Sequence, residues 1–118
     1  MNIEEVRGYC LLKKGSYETF PFDESTLVFK VGSKIFFLAS LEGGHSINLK
    51  CDPAWAIELR EAHPAITPGF HMNKKHWNTV MLDGSLPGSL ILEMIDHSYK
   101  LVLESLPGKQ KLEIEQIT

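Results

Sequence analysis

Apolar residues recur along this chain with two different periods, and the switches between them mark its elements. Ile3, Val6 and Cys10 fall at helical spacing, which predicts a first helix with one buried face. Asn2 is placed to cap it, and Glu5, three positions on, completes a capping-box pattern. Lys13, Lys14 and Gly15 suit its C-terminal end. Thr19-Phe20-Pro21-Phe22-Asp23 breaks the helical period, and two phenylalanines around a proline predict a loop pinned onto the core.

The period then shortens to two. Leu27–Val31 and Lys34–Ala39, rich in β-branched and aromatic residues, predict strands joined by Gly32-Ser33, a two-residue turn with glycine first. Gly43-Gly44 predicts a second turn and Ser46–Lys50 a third strand. In that strand Ile47 and Leu49 point one way while Asn48 and Lys50 point the other, so one sheet face is apolar and the other polar.

Asp52-Pro53 is a helix start, with a capping side chain followed by proline in the first turn. Trp55, Leu59 and Ala62 form its expected stripe, and Pro64 ends it. Ala65–Thr67 predicts a brief strand and Trp77–Leu82 another, closed by a turn at Asp83-Gly84. The last long helix is expected from near Ser85 and Pro87 to about Leu106, where Pro107-Gly108 stops it. Ile91, Met94, Ile95, Ser98 and Val102 make its buried face; Glu93, Asp96, His97, Lys100 and Glu104 lie opposite, with Asp96 and Lys100 spaced as an ion pair. Beyond it Leu112 and Ile114 alternate weakly, which suits either an edge strand or a disordered tail. The order α-β-β-β-α-β-β-α implies a two-layer α+β domain, an antiparallel sheet of about five strands with helices packed on one face.

Length and composition narrow this picture. A chain of 118 residues makes one domain with no internal repeat or linker. No apolar run approaches the roughly 20 residues of a membrane span, and the start lacks a signal-peptide pattern. A cytoplasmic protein, monomeric and unattached to membrane, is the expectation. Cys10 and Cys51, 41 positions apart with no paired-ligand spacing, are expected to be buried reduced thiols. The net charge of -3 counts against a protein that binds polyanions over its whole surface, leaving only a local patch for that purpose.

Such a patch is concentrated between Pro68 and Thr79. Lys74 and Lys75 can hold phosphates, Asn73 and Asn78 can hydrogen-bond phosphate or base edges, and His71, His76 or Trp77 can stack on a base. Lys50 and Lys30 would extend the patch if their strand faces lie close. The plainer alternative buries Trp77 at a strand start and turns Asn73 and the histidines onto the loop's own backbone. His71 and His76 lack the spacing of a helical metal pair, and only a chance approach of Asp83 or Cys51 would complete a site, so no metal and no cofactor are expected. A histidine acting as general base beside Lys74 would need a nucleophile or paired carboxylates that the sequence does not offer, so the chain is not expected to be an enzyme.

The pieces Phe20-Pro21-Phe22-Asp23, Phe29-Lys30-Val31, Asn48-Leu49-Lys50-Cys51-Asp52-Pro53 and Leu59-Arg60-Glu61 follow one another in a familiar order. They continue through Pro68–Trp77, Leu82-Asp83-Gly84 and Ser98-Tyr99-Lys100-Leu101-Val102. In these the chain resembles the MmcQ/YjbR family of small bacterial proteins over residues 1–111, leaving 112–118 as a tail. The resemblance implies the same α-β-β-β-α-β-β-α fold, and DNA binding in which two β-hairpin wings engage nucleic acid; no catalytic residues come with it. The residues expected to touch DNA are His71, Asn73, Lys74, Lys75, His76 and Trp77, with Lys50 added. The alternative is a protein- or peptide-binding module with the sheet-and-helix layout of secretion chaperones, taking a partner strand at an exposed edge.

Overall fold

The computed structural model describes residues 1–42, 45–70 and 72–117. The expected turn at Gly43-Gly44 lies outside the described residues. Helix α1 (Ile3–Leu11) carries the capping box: Asn2 Oδ1 accepts from Glu5 N at 2.8 Å, and Glu5 Oε1 accepts from Asn2 N at 3.1 Å. Strands β1 (Ser16–Thr19), β2 (Thr26–Val31), β3 (Lys34–Ser40) and β4 (Ser46–Lys50) follow, then α2 (Pro53–Ala62), β5 (Ile66–Pro68), β6 (Trp77–Met81), α3 (Gly88–Glu104) and α4 (Gly108–Glu115).

Among the described residues the strands form one antiparallel sheet in the order β1-β2-β3-β4-β6-β5. The sheet therefore has six strands rather than about five. The additional one is β1, which pairs with β2 from Ser16 opposite Val31 to Thr19 opposite Val28. The Gly32-Ser33 hairpin forms as expected, with Gly32 at a φ of +57° that only glycine adopts without strain.

All four helices bury side chains in one core on one face of the sheet: Val6 and Cys10 from α1, Leu59 from α2, Ile95 from α3 and Ile114 from α4. The buried face of α3 is the predicted one, residue for residue. At the centre Phe29 meets Phe37 edge-on at 5.4 Å, and Phe36 meets Tyr99 of α3 at 5.4 Å. Burying each such side chain stabilises the fold by about 1.5–3 kcal/mol. A bulge admits both neighbouring phenylalanines: the β2–β3 register shifts at Phe29/Lys30, leaving Phe36 as the extra residue.

Four expectations need correction. Residues 112–115 belong to α4 rather than to an edge strand or a disordered tail: Pro107-Gly108 ends α3 and opens a further helix. Gln110 Oε1 accepts from Ser33 N at 2.9 Å, and Ile114 is buried against Gly15, so the hairpin and the first turn hold this helix in place. Phe20 and Phe22 are exposed instead of pinning their loop to the core, and Ala62 is exposed while Ala56 takes its place in the α2 stripe. Asp96 pairs across to α1, accepting from Tyr9 Oη at 2.7 Å and bridging to Lys13, in place of the expected pairing with Lys100.

Candidate nucleic-acid interface

The loop after β5 closes back on β6 through its own backbone. Gly69 N donates to Trp77 O at 2.8 Å, and Asn73 O accepts from His76 N and Trp77 N at 3.2 and 3.0 Å. Asn73 Oδ1 accepts from Lys75 N at 2.9 Å, a local turn that uses the side chain at home. Lys74 and Lys75 are exposed. Among the described residues neither ammonium is engaged in a salt bridge. His76 and Trp77 are half-buried, and His76 O accepts from Cys51 N at 2.8 Å. His71 lies outside the described residues.

Register decides what each strand side chain can reach. Trp77 stands opposite Lys50, Asn78 opposite Leu49 and Thr79 opposite Asn48. Lys50, Asn48, Trp77 and Thr79 therefore face away from the helices, whereas Asn78 faces them. Asn78 is 1% exposed, so its expected role at a phosphate or base edge is overturned. Its Oδ1 accepts from Arg60 Nε at 2.7 Å. Lys30, opposite Ile35 and Tyr17, shares the open face with Lys50, two strand spacings or about 10 Å across the sheet.

Arg60 is the residue that the sequence-level reading missed. From α2 its Nη2 donates to the carbonyls of Lys74 and Trp77, so one guanidinium ties the basic loop to the helix layer. Its place beside Glu58 and Glu61, off the apolar stripe, gave it the signature of a solvated residue. On the open face Thr79 Oγ1 accepts from Phe70 N at 3.0 Å and gives its one proton to Asn48 Oδ1 at 2.6 Å, drawing the loop over the sheet. A cleft of about 560 Å³ remains there, lined by Phe22, Ile35, Leu38, Asn48, Phe70 and Met72 among others.

The strands carry four charged side chains. Glu18 turns to the helix side and binds Arg7 of α1, and Lys34 Nζ reaches Ser105 O at 2.8 Å beyond the end of α3. That leaves Lys30 and Lys50 as the charges contributed by strands to the open face. Most of the acidic residues lie in the helices. The negative net charge is thus carried mainly by the helix layer.

Neither cysteine is poised as a nucleophile. Cys10 and Cys51 are buried and reduced, and burial pushes their thiols up to about 12 and about 11, far from a thiolate at neutral pH. Among the described residues no three His, Cys, Asp or Glu side chains come together to hold a metal ion. No described helix is long and apolar enough to cross a membrane.

Fold and site together define a small two-layer α+β domain with one sheet face that no described helix covers. Residues 11–101 match the YjbR family model. The chain is 35% identical to the uncharacterised protein YjbR of Escherichia coli strain K12 over 118 residues, covering 99% of this chain and 100% of that one. It is 40% identical to the uncharacterised protein YbdF of Escherichia coli O157:H7 over 93 residues, 78% of this chain and 76% of the relative. The crystal structure of a Deinococcus radiodurans protein with a DUF419 domain superposes with a TM-score of 0.90 at 40% identity, covering 97% of this chain and 88% of that one. A Pseudomonas syringae protein gives 0.74 at 30% identity, covering 86% and 99%. The chain belongs to the YjbR family.

Proposed function

We propose that this protein is a DNA-binding module without catalytic activity, which grips phosphates with Lys74, Lys75 and Lys50 while Trp77 buttresses the loop that presents them. The observation that carries this reading is the polarity of charge between the two layers. Lysines are the charged strand residues of the open face, two more lysines stand exposed on the adjoining loop, and the acidic side chains gather mainly in the helices. A polyanion approaching the sheet side meets the cationic part of an otherwise acidic molecule. The reading carries with it an intracellular protein acting as a monomer.

The test is a fluorescence titration with labelled single- and double-stranded DNA at low and near-physiological salt. Binding is expected to weaken with salt. Lys74→Ala combined with Lys75→Ala should weaken it for every sequence and reduce the logarithmic salt slope by about 2, one per lost phosphate contact. Absence of binding to either DNA at low salt would sink the reading.

A further inference from the structure

The cleft on the open face is bounded on one side by the basic loop, through Phe70 and Met72, but its lining differs from a phosphate site. Phe22 from the β1–β2 loop and Phe70 from the β5–β6 loop stand at its margins, 63% and 68% exposed. Between them Leu38 and Asn48 are cross-strand partners on adjacent strands. Its volume of about 560 Å³ falls within the range of small-ligand pockets. Aromatic rims around an apolar floor suit a planar ring.

Thr26, Ser40 and Asn48 are the polar part of the lining, and Asn48 is held in a defined orientation by Thr79 behind it. Thr79 Oγ1 receives the Phe70 N–H and therefore gives its proton to Asn48 Oδ1, which orients the Asn48 amide. What Asn48 retains for a ligand is its pair of N–H donors, matched to the carbonyl and ring-nitrogen acceptors of a nucleobase. Lys50 follows Asn48 by two residues on the same face, about 7 Å along β4. A base seated at Asn48 would thus have a cation within reach of its backbone.

We infer that the cleft takes an unpaired base, so that this protein binds single-stranded nucleic acid in preference to duplex. The inference rests on the nucleic-acid reading above and names its substrate class. In a duplex both faces of each base are covered by stacking and its pairing edge is occupied; a single strand offers face and edge together. The absence of acidic side chains among the open-face strand residues favours a polyanion as the occupant over an apolar segment of another protein, which would gain nothing from Lys30 and Lys50.

The experiment uses the whole chain, a labelled oligothymidine and a labelled duplex of mixed sequence at one low salt concentration. Wild type, Phe22→Ala and the Lys74→Ala, Lys75→Ala double variant are compared, with circular dichroism to confirm folding. Phe22 is exposed, so its truncation should leave the fold intact, and Met72→Ala provides a second probe of the same cleft. Tighter binding of the oligothymidine than of the duplex is expected. Phe22→Ala should weaken it by about 5- to 150-fold, the value of one stacked base, while duplex binding stays unchanged. Equal affinity for both DNAs, or oligothymidine binding indifferent to Phe22→Ala and Met72→Ala, overturns the cleft assignment. Salt-sensitive binding lost in the lysine variant would still leave the DNA reading standing. No binding of either DNA overturns both. Saturable binding of a leucine-rich peptide that Phe22→Ala weakens, with no DNA binding, would give the cleft to a protein segment instead.

Discussion

Arg60 Nε lies 2.7 Å from Asn78 Oδ1, and the guanidinium that makes this bond also holds the backbone of the basic loop. Asn78 is 1% exposed, and its Nδ2 has no hydrogen-bond partner among the described residues, so Arg60 is what satisfies its amide at all. The planar fork allows one side chain to serve three acceptors, two of them main-chain carbonyls.

Arg60→Ala should therefore lower the unfolding free energy by about 1–3 kcal/mol, the cost of a buried acceptor left without its donor. It should also speed amide exchange of His76 and Trp77 in the freed loop. Arg60→Lys should recover only part of the loss, because a single ammonium cannot reproduce the fork. An unchanged urea midpoint and unchanged exchange in Arg60→Ala would remove Arg60 as the loop's anchor.

Ser98 occupies a place where the sheet itself is interrupted. The β3–β4 ladder ends at Phe37 opposite Leu49; one step further Lys50 N would meet Phe36 O, but the bulge intervenes. The Ser98 hydroxyl fills the gap, accepting from Lys50 N at 2.9 Å and donating to Phe36 O at 2.6 Å, at 0% exposure. Ser98→Ala strands two backbone groups at once and should cost on the order of 2–4 kcal/mol in urea unfolding. A loss below about 0.5 kcal/mol would mean that the strands close the gap unaided.

His97 makes stability depend on pH. Its Nε2 accepts from Asp52 N at 3.0 Å and its ring meets Trp55 edge-on at 4.7 Å, an arrangement that needs the neutral imidazole. Burial, the largest influence, lowers its pKa below the ordinary 6.5; Lys100 adds to this, while Asp52 and Glu93 oppose it. The unfolded chain then holds more protons than the folded one, so stability rises with pH. The contribution is fully present above the unfolded value of 6.5 and is lost as pH falls through the folded pKa. In urea titrations between about pH 8 and pH 5, His97→Gln should show a flatter decline than wild type. Parallel declines would show that His97 does not sense pH through the fold.

The features legible in the sequence were those set by local spacing. The Asn2–Glu5 capping box, the two faces of Ser46–Lys50 and the five buried residues of α3 each follow from positions within a few residues of one another. β1 was not legible, because Ser-Tyr-Glu-Thr has no apolar alternation and forms a strand by pairing with β2. Leu112 and Ile114 had a strand's spacing, but Ile114 against Gly15 and Gln110 on the hairpin select a helix. At the candidate site the exposed lysines were readable from the loop's composition. The inward turn of Asn78 was not, since it depends on Trp77 pairing with Lys50, a register known only once β6 enters beside β4. The cleft draws on four separated segments, so no local pattern announces it.

Gly69 and Gly84 give the last prediction, because the same substitution should act at them for different reasons. A Cβ on Gly69 would lie 2.8 Å from Trp77 Cβ, 3.0 Å from Trp77 O and 3.2 Å from Met72 Cβ. The obstacle is a strand's backbone and the root of its indole, which cannot swing aside. Gly69→Ala should therefore push the loop off β6, lengthen the 2.8 Å bond from Gly69 N to Trp77 O, and destabilise by about 1–3 kcal/mol. Trp77 fluorescence should shift red as its half-buried ring becomes wetter. At Gly84 a Cβ meets nothing within 4 Å among the described residues, but the backbone holds a φ of +86°. Gly84→Ala should cost about 1 kcal/mol through strain alone and leave Trp77 fluorescence unchanged. An unshifted Trp77 spectrum in Gly69→Ala would mean that the loop yields without disturbing β6, and that the packing of Gly69 on Trp77 does not set the loop's position over the open face.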